Sequence, residues 1–327
     1  MRLTLVLLLS ITLGFCQTPA KFYRSFSAMG CGFQVTVVAN NANDADTFLS
    51  MAVNNIKRIE GLISSWDEKS QTSRINNAAG VQPVSVDPEL FDLIKRSLAI
   101  SRLTDGAFDI TYASMDRIWK FDGSVSELPD PDRVKESVRK VGFQKVQLTD
   151  SVQSVFLPVK GMKIGFGAIG KGYAADHTMN LLKSNGVSAG IINASGDLRT
   201  WGEQPNAESW QIGVKNPLNK NKVFVLLPLT NQALVTSGNY EKFITIDGKR
   251  FAHIIDPRTG YPSSGLTSVT VIASSAELAD ALATAVFVMG KEIGLDFVNQ
   301  LKDVECVLVQ DDGTVFYSDN INAKELK

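Results

Sequence analysis

The chain has 327 residues, 44% of them hydrophobic and 20% charged, with a formal net charge of -1 at pH 7. That balance describes a globular protein with material for two lobes, and it excludes the strongly basic face that nucleic-acid phosphates require. Low-complexity tracts, charge blocks and repeats of fixed period are absent from the sequence, which excludes solenoid and fibrous classes.

In chain order, the first element is a leader. Arg2 precedes an apolar run from Leu3 to Phe15, interrupted only by Thr4, Ser10, Thr12 and Gly14. A spanning helix takes about 20 apolar residues, so this run is too short. Thr18 and Ala20 occupy the -3 and -1 positions of a cleavage site. Residues 1–20 therefore read as a secretory signal peptide, ahead of a mature domain over 21–327. Leu13-Gly14-Phe15-Cys16 is a blurred lipoprotein box, so lipid anchoring at Cys16 is the alternative to a soluble exported product. Cys31 and Cys306 remain after export, and two buried free thiols are expected rather than a disulfide.

Phe33, Val35 and Val37 alternate with polar or small residues and predict an opening strand. A helix follows over about 44–64, with Phe48, Met51, Ala52, Ile56 and Ile59 apolar. Asp87-Pro88-Glu89 places Asp at the N-cap and Pro at the first helical position. That helix runs to about Leu103, with Gly106 just beyond. Residues 122–160 read as a surface connection and then strands, with Asp130-Pro131 opening a short helix. A glycine-rich loop from Gly165 to Gly172 leads into a helix ending near Gly186. Residues 187–262 read as strands and turns, and Asp247-Gly248 is a hairpin signal. Ser274-Ser275-Ala276-Glu277 opens a long helix with a capping box. A strand over 304–310, a turn at Asp311-Asp312-Gly313 and a last strand close the chain. Helices and strands mix without strict alternation, which predicts α+β.

Several constellations carry potential chemistry, each with a plain structural alternative. Asp280, Ala283 and Thr284 share one helix face, where a carboxylate and a hydroxyl suit a magnesium ion. Alone, the same residues favour the structural alternative, a dipole partner and a Thr bonded to its own helix. The glycine loop, with Lys171, is either an anion cradle at a helix N-terminus or a tight turn. Its glycines at 165, 167, 170 and 172 fit neither a dinucleotide fingerprint nor a P-loop. His253, one of two histidines, is a general-base candidate or a hydrogen-bonded turn residue; His177 receives no role. Asn193 to Asp197 form a small turn that admits close backbone approach to a ligand. Phe108 and Asp109, after Gly106-Ala107, offer a ring face and a carboxylate, or ordinary packing. Trp66 is likewise a stacking platform or a packed side chain. A nucleophile elbow, a zinc spacing and a CxxC pair are all missing.

Taken together and in this order, the motifs resemble the ApbE family of FAD:protein FMN transferases. They run from Ala28-Met29-Gly30 through Ser70 to Asn76, Gly106 to Thr111, Gly167 to Ala174, Asn193 to Asp197, Thr236 to Tyr240 and His253 to Gly260. Asp280 to Ala285 completes the series. The resemblance implies a two-lobed α+β fold with mixed and antiparallel sheets and flanking helices. It implies that Met29, Trp66, Ala107, Phe108, Asp109, Gly165, Lys171 and Ile254 line an FAD site. Magnesium, with manganese as the second choice, is implied at Asp280 and Thr284 with backbone oxygens of Ala168 and Ala283. His253 falls at the essential histidine near the pyrophosphate. Three positions depart from the pattern: Cys31 for Thr, Gly165 for Asp and Ser195 for Gly.

The activity so implied is cleavage of FAD, attachment of FMN to Ser or Thr of another protein through a phosphoester, and release of AMP. The acceptors are exported or membrane-bound redox proteins carrying an Asp-x-x-Ser/Thr-Gly-type motif, which agrees with an exported enzyme on the periplasmic side of the membrane. Two other readings compete: a magnesium-dependent FAD pyrophosphatase that uses water, and a periplasmic flavin-binding protein without catalysis. A periplasmic solute-binding protein would show two alternating α/β lobes, and the chain lacks that alternation.

Overall fold

The computed structural model describes residues 18–122, 124, 127–216, 219–239 and 243–321. The apolar leader and Cys16 lie outside the described residues, as does Tyr240.

The chain opens with β1 (Ala20–Ala28), β2 (Cys31–Ala39), α1 (Ala42–Ile63), α2 (Gln71–Asn77), β3 (Val84–Ser85) and α3 (Pro88–Leu103). It continues through α4 (Pro131–Ser137), β4 (Gln147–Thr149), β5 (Ser154–Phe156) and α5 (Gly170–Ser184). Then come β6 (Gly190–Ala194), β7 (Asp197–Trp201), β8 (Trp210–Asn216), β9 (Asn219–Leu229), β10 (Ala233–Gly238), β11 (Phe243–Ile246) and β12 (Lys249–Ala252). β13 (Leu266–Ala273), α6 (Ala276–Asn299), β14 (Val304–Gln310) and β15 (Val315–Tyr317) complete it.

Eight strands form one sheet in the order β1-β2-β6-β7-β10-β13-β14-β15, and each neighbouring pair is antiparallel. Helices α1, α5 and α6 pack on one face, with α1 against β2, α5 against β7 and α6 against β10 and β13. The large core there runs from Ala28 to Leu308. The other face of the central strands is covered by the β8–β9 hairpin, through Trp210, Ile212, Leu227 and Leu229 on Leu198, Leu234 and Ile272. This explains why Leu-Thr-Ser-Val-Thr-Val-Ile-Ala in β13 shows no polar face: all eight residues are buried, as a strand covered on both sides should be. A third cluster joins Trp119 and Val134 to the β11–β12 hairpin.

Most expected elements are present, and the α+β expectation holds. α1 buries Ala45, Leu49, Ala52, Ile56, Ile59 and Ile63 at helical spacing. At Asp247-Gly248, φ values of 50° and 74° give the two-residue hairpin turn.

Four details differ from the expectations. A strand, β1, precedes the one taken as the opening. Asp87 stands at the N-cap of α3 without a capping bond; its carboxylate accepts instead from the Gln71 amide. The capping box of α6 is displaced by one residue: Ser275 is the cap and accepts from the Leu278 amide at 3.2 Å. Glu277 is thereby freed for Arg96 at 2.7 Å, and Asp176 takes the Glu277 amide at 2.9 Å. Finally, Cys306 is buried but Cys31 only half-buried, and both thiols are free.

Candidate active site

A cleft of about 1160 Å³ opens at one end of the large sheet. Two tight hairpin tips build one wall. Met29-Gly30 joins Ala28 to Cys31, which are paired, and Ser195-Gly196 joins the paired Ala194 and Asp197. Because β2 pairs with β6, the tips lie side by side. All four tip residues have positive φ, at 52°, 71°, 54° and 105°, a region that non-glycine residues adopt at a cost. Met29 is held there by its amide, which donates to Glu60 Oε1 at 2.6 Å.

The opposite wall is where α5 and α6 begin. A Cβ on Gly172 would collide with the backbone carbonyl of Ala276, so glycine lets the two helix starts touch. Across this junction the Gly172 amide donates to Asp280 Oδ2 at 3.0 Å. Asp280 is buried, and burial pushes its carboxyl up to about 6, against the charge of Lys171 and aided by that of Asp197. The Lys171 ammonium pairs with Asp197, and Asp197 Oδ1 also accepts from the Thr236 amide at 3.2 Å. Burial alone would favour neutral Lys171, but the two carboxylates hold it firmly charged.

The described residues bring most of the expected site together. Met29, Trp66, Ala107, Phe108, Asp109, Ala168, Lys171, His253, Ile254, Asp280 and Thr284 all line the cleft. Phe108 belongs to the core and the cleft at once. Trp66 stands 78% exposed at the mouth, with the Arg117 guanidinium 4.8 Å from its ring centre. Asp109 has both oxygens committed: Oδ1 accepts from the Thr111 amide and hydroxyl at 2.7 Å, and Oδ2 from the Phe143 amide at 2.8 Å. It pins the loop instead of offering a free carboxylate.

Two expected residues are not on the cleft surface. Gly165 is buried behind the wall, donating its amide to Ile110 at 2.9 Å. Ala283 is fully buried within α6. In their place the cleft gains residues that the motif reading gave no role. Tyr112 and Arg117 had no local signal. Asn76, within a quoted motif, bonds both ways with the Ile164 backbone at 2.8 and 3.0 Å and fixes the approach to the glycine loop.

The donor set suits a hard divalent cation. Asp280 and Thr284 sit one turn apart on α6, Thr284 Oγ1 lies 3.4 Å from Ser237 Oγ, and Ala168 flanks them on the cleft wall. Among the described residues no cluster of three or more His, Cys, Asp or Glu exists. A carboxylate and a hydroxyl one helical turn apart are hard oxygen donors of the kind that magnesium accepts as part of its shell. The raised Asp280 carboxyl is a group that such a cation would draw back to its charged form.

The ApbE family model matches residues 29–308. A relative from Klebsiella pneumoniae (strain 342), an FAD:protein FMN transferase, is 34% identical over 287 residues, 87% of this chain and 88% of that protein. One of the same description from Salmonella typhimurium is 29% identical over 289 residues, covering 86% and 83%. Among solved structures, an ApbE protein of Thermotoga maritima superposes with a TM-score of 0.83 at 32% identity, covering 94% of this chain and all of that one. The apo flavinyl transferase ApbE of Pseudomonas stutzeri shares the fold at 23% identity, with a TM-score of 0.81 over 92% and 95% of the two chains.

Proposed function

This chain belongs to the ApbE family, and from that premise we propose that it is an FAD:protein FMN transferase. The observation that carries the reading is the convergence of Lys171, the start of α5 and the Asp280–Thr284 pair in one cleft of about 1160 Å³, a volume suited to a dinucleotide.

In the proposed reaction a Ser or Thr oxygen of the acceptor protein bonds to the FMN phosphorus. The bond from that phosphorus to the bridging oxygen breaks, and AMP departs with the electron pair. His253, at the cleft edge beside Ile254, receives the hydroxyl proton on a ring nitrogen. Lys171 presents a fixed positive charge to the diphosphate, and Asp197 keeps its ammonium in place. Trp66 supplies a flat apolar face for a ring of FAD, while Phe108, only 2% exposed, packs beneath the cleft floor. Magnesium, or manganese, held by Asp280, Thr284 and the Ala168 carbonyl, would neutralise diphosphate charge when bound.

The leader of residues 1–20 supports export to the periplasmic side of the membrane, with Cys16 as the site of a lipid anchor in the alternative form. An exported transferase would meet exported or membrane-bound redox proteins with a Ser/Thr flavinylation motif.

The test is intact mass spectrometry of such an acceptor domain after incubation with the chain, FAD and magnesium. A gain of one FMN that EDTA abolishes supports transfer. Free FMN and AMP with an unmodified acceptor would assign the cleft to hydrolysis by water. Intact FAD would leave a flavin-binding protein.

A further inference from the structure

One polar aromatic side chain in the cleft has no part in the scheme above. Tyr112 lies on the 3-10 turn Ile110–Ser114, directly after the loop pinned by Asp109, and it lines the cleft beside Gly167 and Ala168. Tyr112 is 38% exposed, and desolvation where it packs on the glycine loop raises its phenol above the usual tyrosine range. The group is therefore a protonated donor at any ordinary pH. The Gly167 amide faces the phenol oxygen, and the Asp280 charge is close enough to act on it.

The fit between Tyr112 and the glycine loop is tight. A Cβ built on Gly167 would stand 2.5 Å from the Tyr112 oxygen, and one on Gly165 3.5 Å from it. Real Cβ atoms do not approach an oxygen as closely as the first distance. Gly167 itself is exposed to the cleft, with a negative φ that any residue adopts, so backbone strain does not explain the glycine. Space for the phenol does. A phenol oxygen seated against the loop backbone keeps its own proton to give. The surface that this proton can reach is the stretch of cleft at Gly167 and Ala168, beside the charged Lys171.

We propose that Tyr112 is a substrate-binding residue whose hydroxyl donates to the diphosphate of FAD along the loop from Gly167 to Gly170, and that residue 167 is glycine to admit that hydroxyl. The inference rests on the reading of FAD as the substrate.

The test is equilibrium titration of the purified chain with FAD, followed by flavin fluorescence in EDTA and again in magnesium, with inorganic pyrophosphate as competitor. Losing one hydrogen bond to a charged group corresponds to roughly tenfold or more in affinity. Tyr112→Phe is expected to raise the FAD dissociation constant by about that factor, and the pyrophosphate inhibition constant by the same factor, with an unchanged thermal midpoint. Gly167→Ala displaces the phenol and reproduces the loss. The Tyr112→Phe/Gly167→Ala double variant then matches Tyr112→Phe alone, because without the hydroxyl the new methyl fits. Tyr112→Phe binding FAD as tightly as the wild type overturns the proposal. So does a weakening confined to FAD with pyrophosphate untouched, or a double variant equal to the product of the singles. A wild-type chain that binds no FAD in either medium overturns the functional reading instead.

Discussion

The Gly172 amide and the Asp280 carboxylate meet at 3.0 Å across the junction of α5 and α6. Two helices nearly a hundred residues apart in sequence are thereby locked where the phosphate and metal chemistry is proposed. The lock depends on position 172 having no side chain.

Gly172→Ala should consequently force the two helix starts apart, since its Cβ has no space beside the Ala276 carbonyl. Overpacking of this kind costs roughly 1–3 kcal/mol. Urea unfolding should show that loss, together with a weaker response of activity to magnesium. An unchanged unfolding midpoint would mean that the junction yields freely.

His253→Ala should leave FAD binding close to the wild type and lower the rate of FMN transfer by about 10²- to 10⁴-fold, the usual contribution of a positioned base. Stopped-time assays of acceptor mass, alongside flavin fluorescence titration, separate the two quantities. Equal losses in binding and rate would make His253 a binding residue.

Asp176 joins the elements that carry the site: it accepts from the Ser275 hydroxyl at 2.8 Å and the Glu277 amide at 2.9 Å at the start of α6, and it pairs with buried Arg199 at 2.8 Å. Burial lowers Arg199 from the usual arginine value despite this partner. Asp176→Ala should cost about 3–5 kcal/mol, because it strands a buried charge. Asp176→Ala combined with Arg199→Met should recover much of that cost. Chemical denaturation of the three proteins checks the ordering, and a double variant no better than the single would contradict it.

Acid should destabilise the fold in two steps. Burial lowers His177, against the charge of Glu89. A histidine depressed in the folded state contributes stability above its unfolded value, about 6.5, and that contribution is lost as pH falls through the lower folded value. Burial works to raise Glu89, but hydrogen bonds from Arg58 and Tyr173 outweigh it and lower the carboxyl. Its contribution is present above about 4.3 and disappears at still lower pH. Denaturation midpoints taken from pH 7.5 down to about 2.5 should fall in that order. His177→Gln should flatten the first step and leave the second.

How far the sequence foretold this architecture depended on how local each cause was. α1 and the face bearing Asp280 and Thr284 were legible because helical spacing is written in consecutive residues. The position of Lys171 on the cleft wall was legible from glycines at a helix start. β1 escaped because its half-exposed Phe22 and Phe26 follow directly on an apolar leader. Glu277 escaped because a shift of one residue in the cap, decided by Asp176 a hundred positions earlier, redirected its carboxylate to Arg96. The burial of Gly165 and the place of Tyr112 on the cleft were not legible: which of two nearby glycines faces the cleft is tied to a phenol more than fifty residues upstream. Asp109 looked available because nothing local reveals that Phe143 takes one of its oxygens.

The break in α6 has a mechanical consequence. At Gly290 the backbone leaves helical geometry, with φ 78° and ψ -178°. Ahead of the break lie Asp280 and Thr284, on a segment with no exposed residue; behind it the helix carries exposed positions such as Ile293. An interrupted rod transmits little torque, so bending or fraying of the rear half is uncoupled from the front. Amide hydrogen exchange should accordingly divide α6 into two kinetic segments, slow before Gly290 and fast after it. The rear half is then the part of the helix at which a fused tag or a lengthened turn leaves the cleft undisturbed.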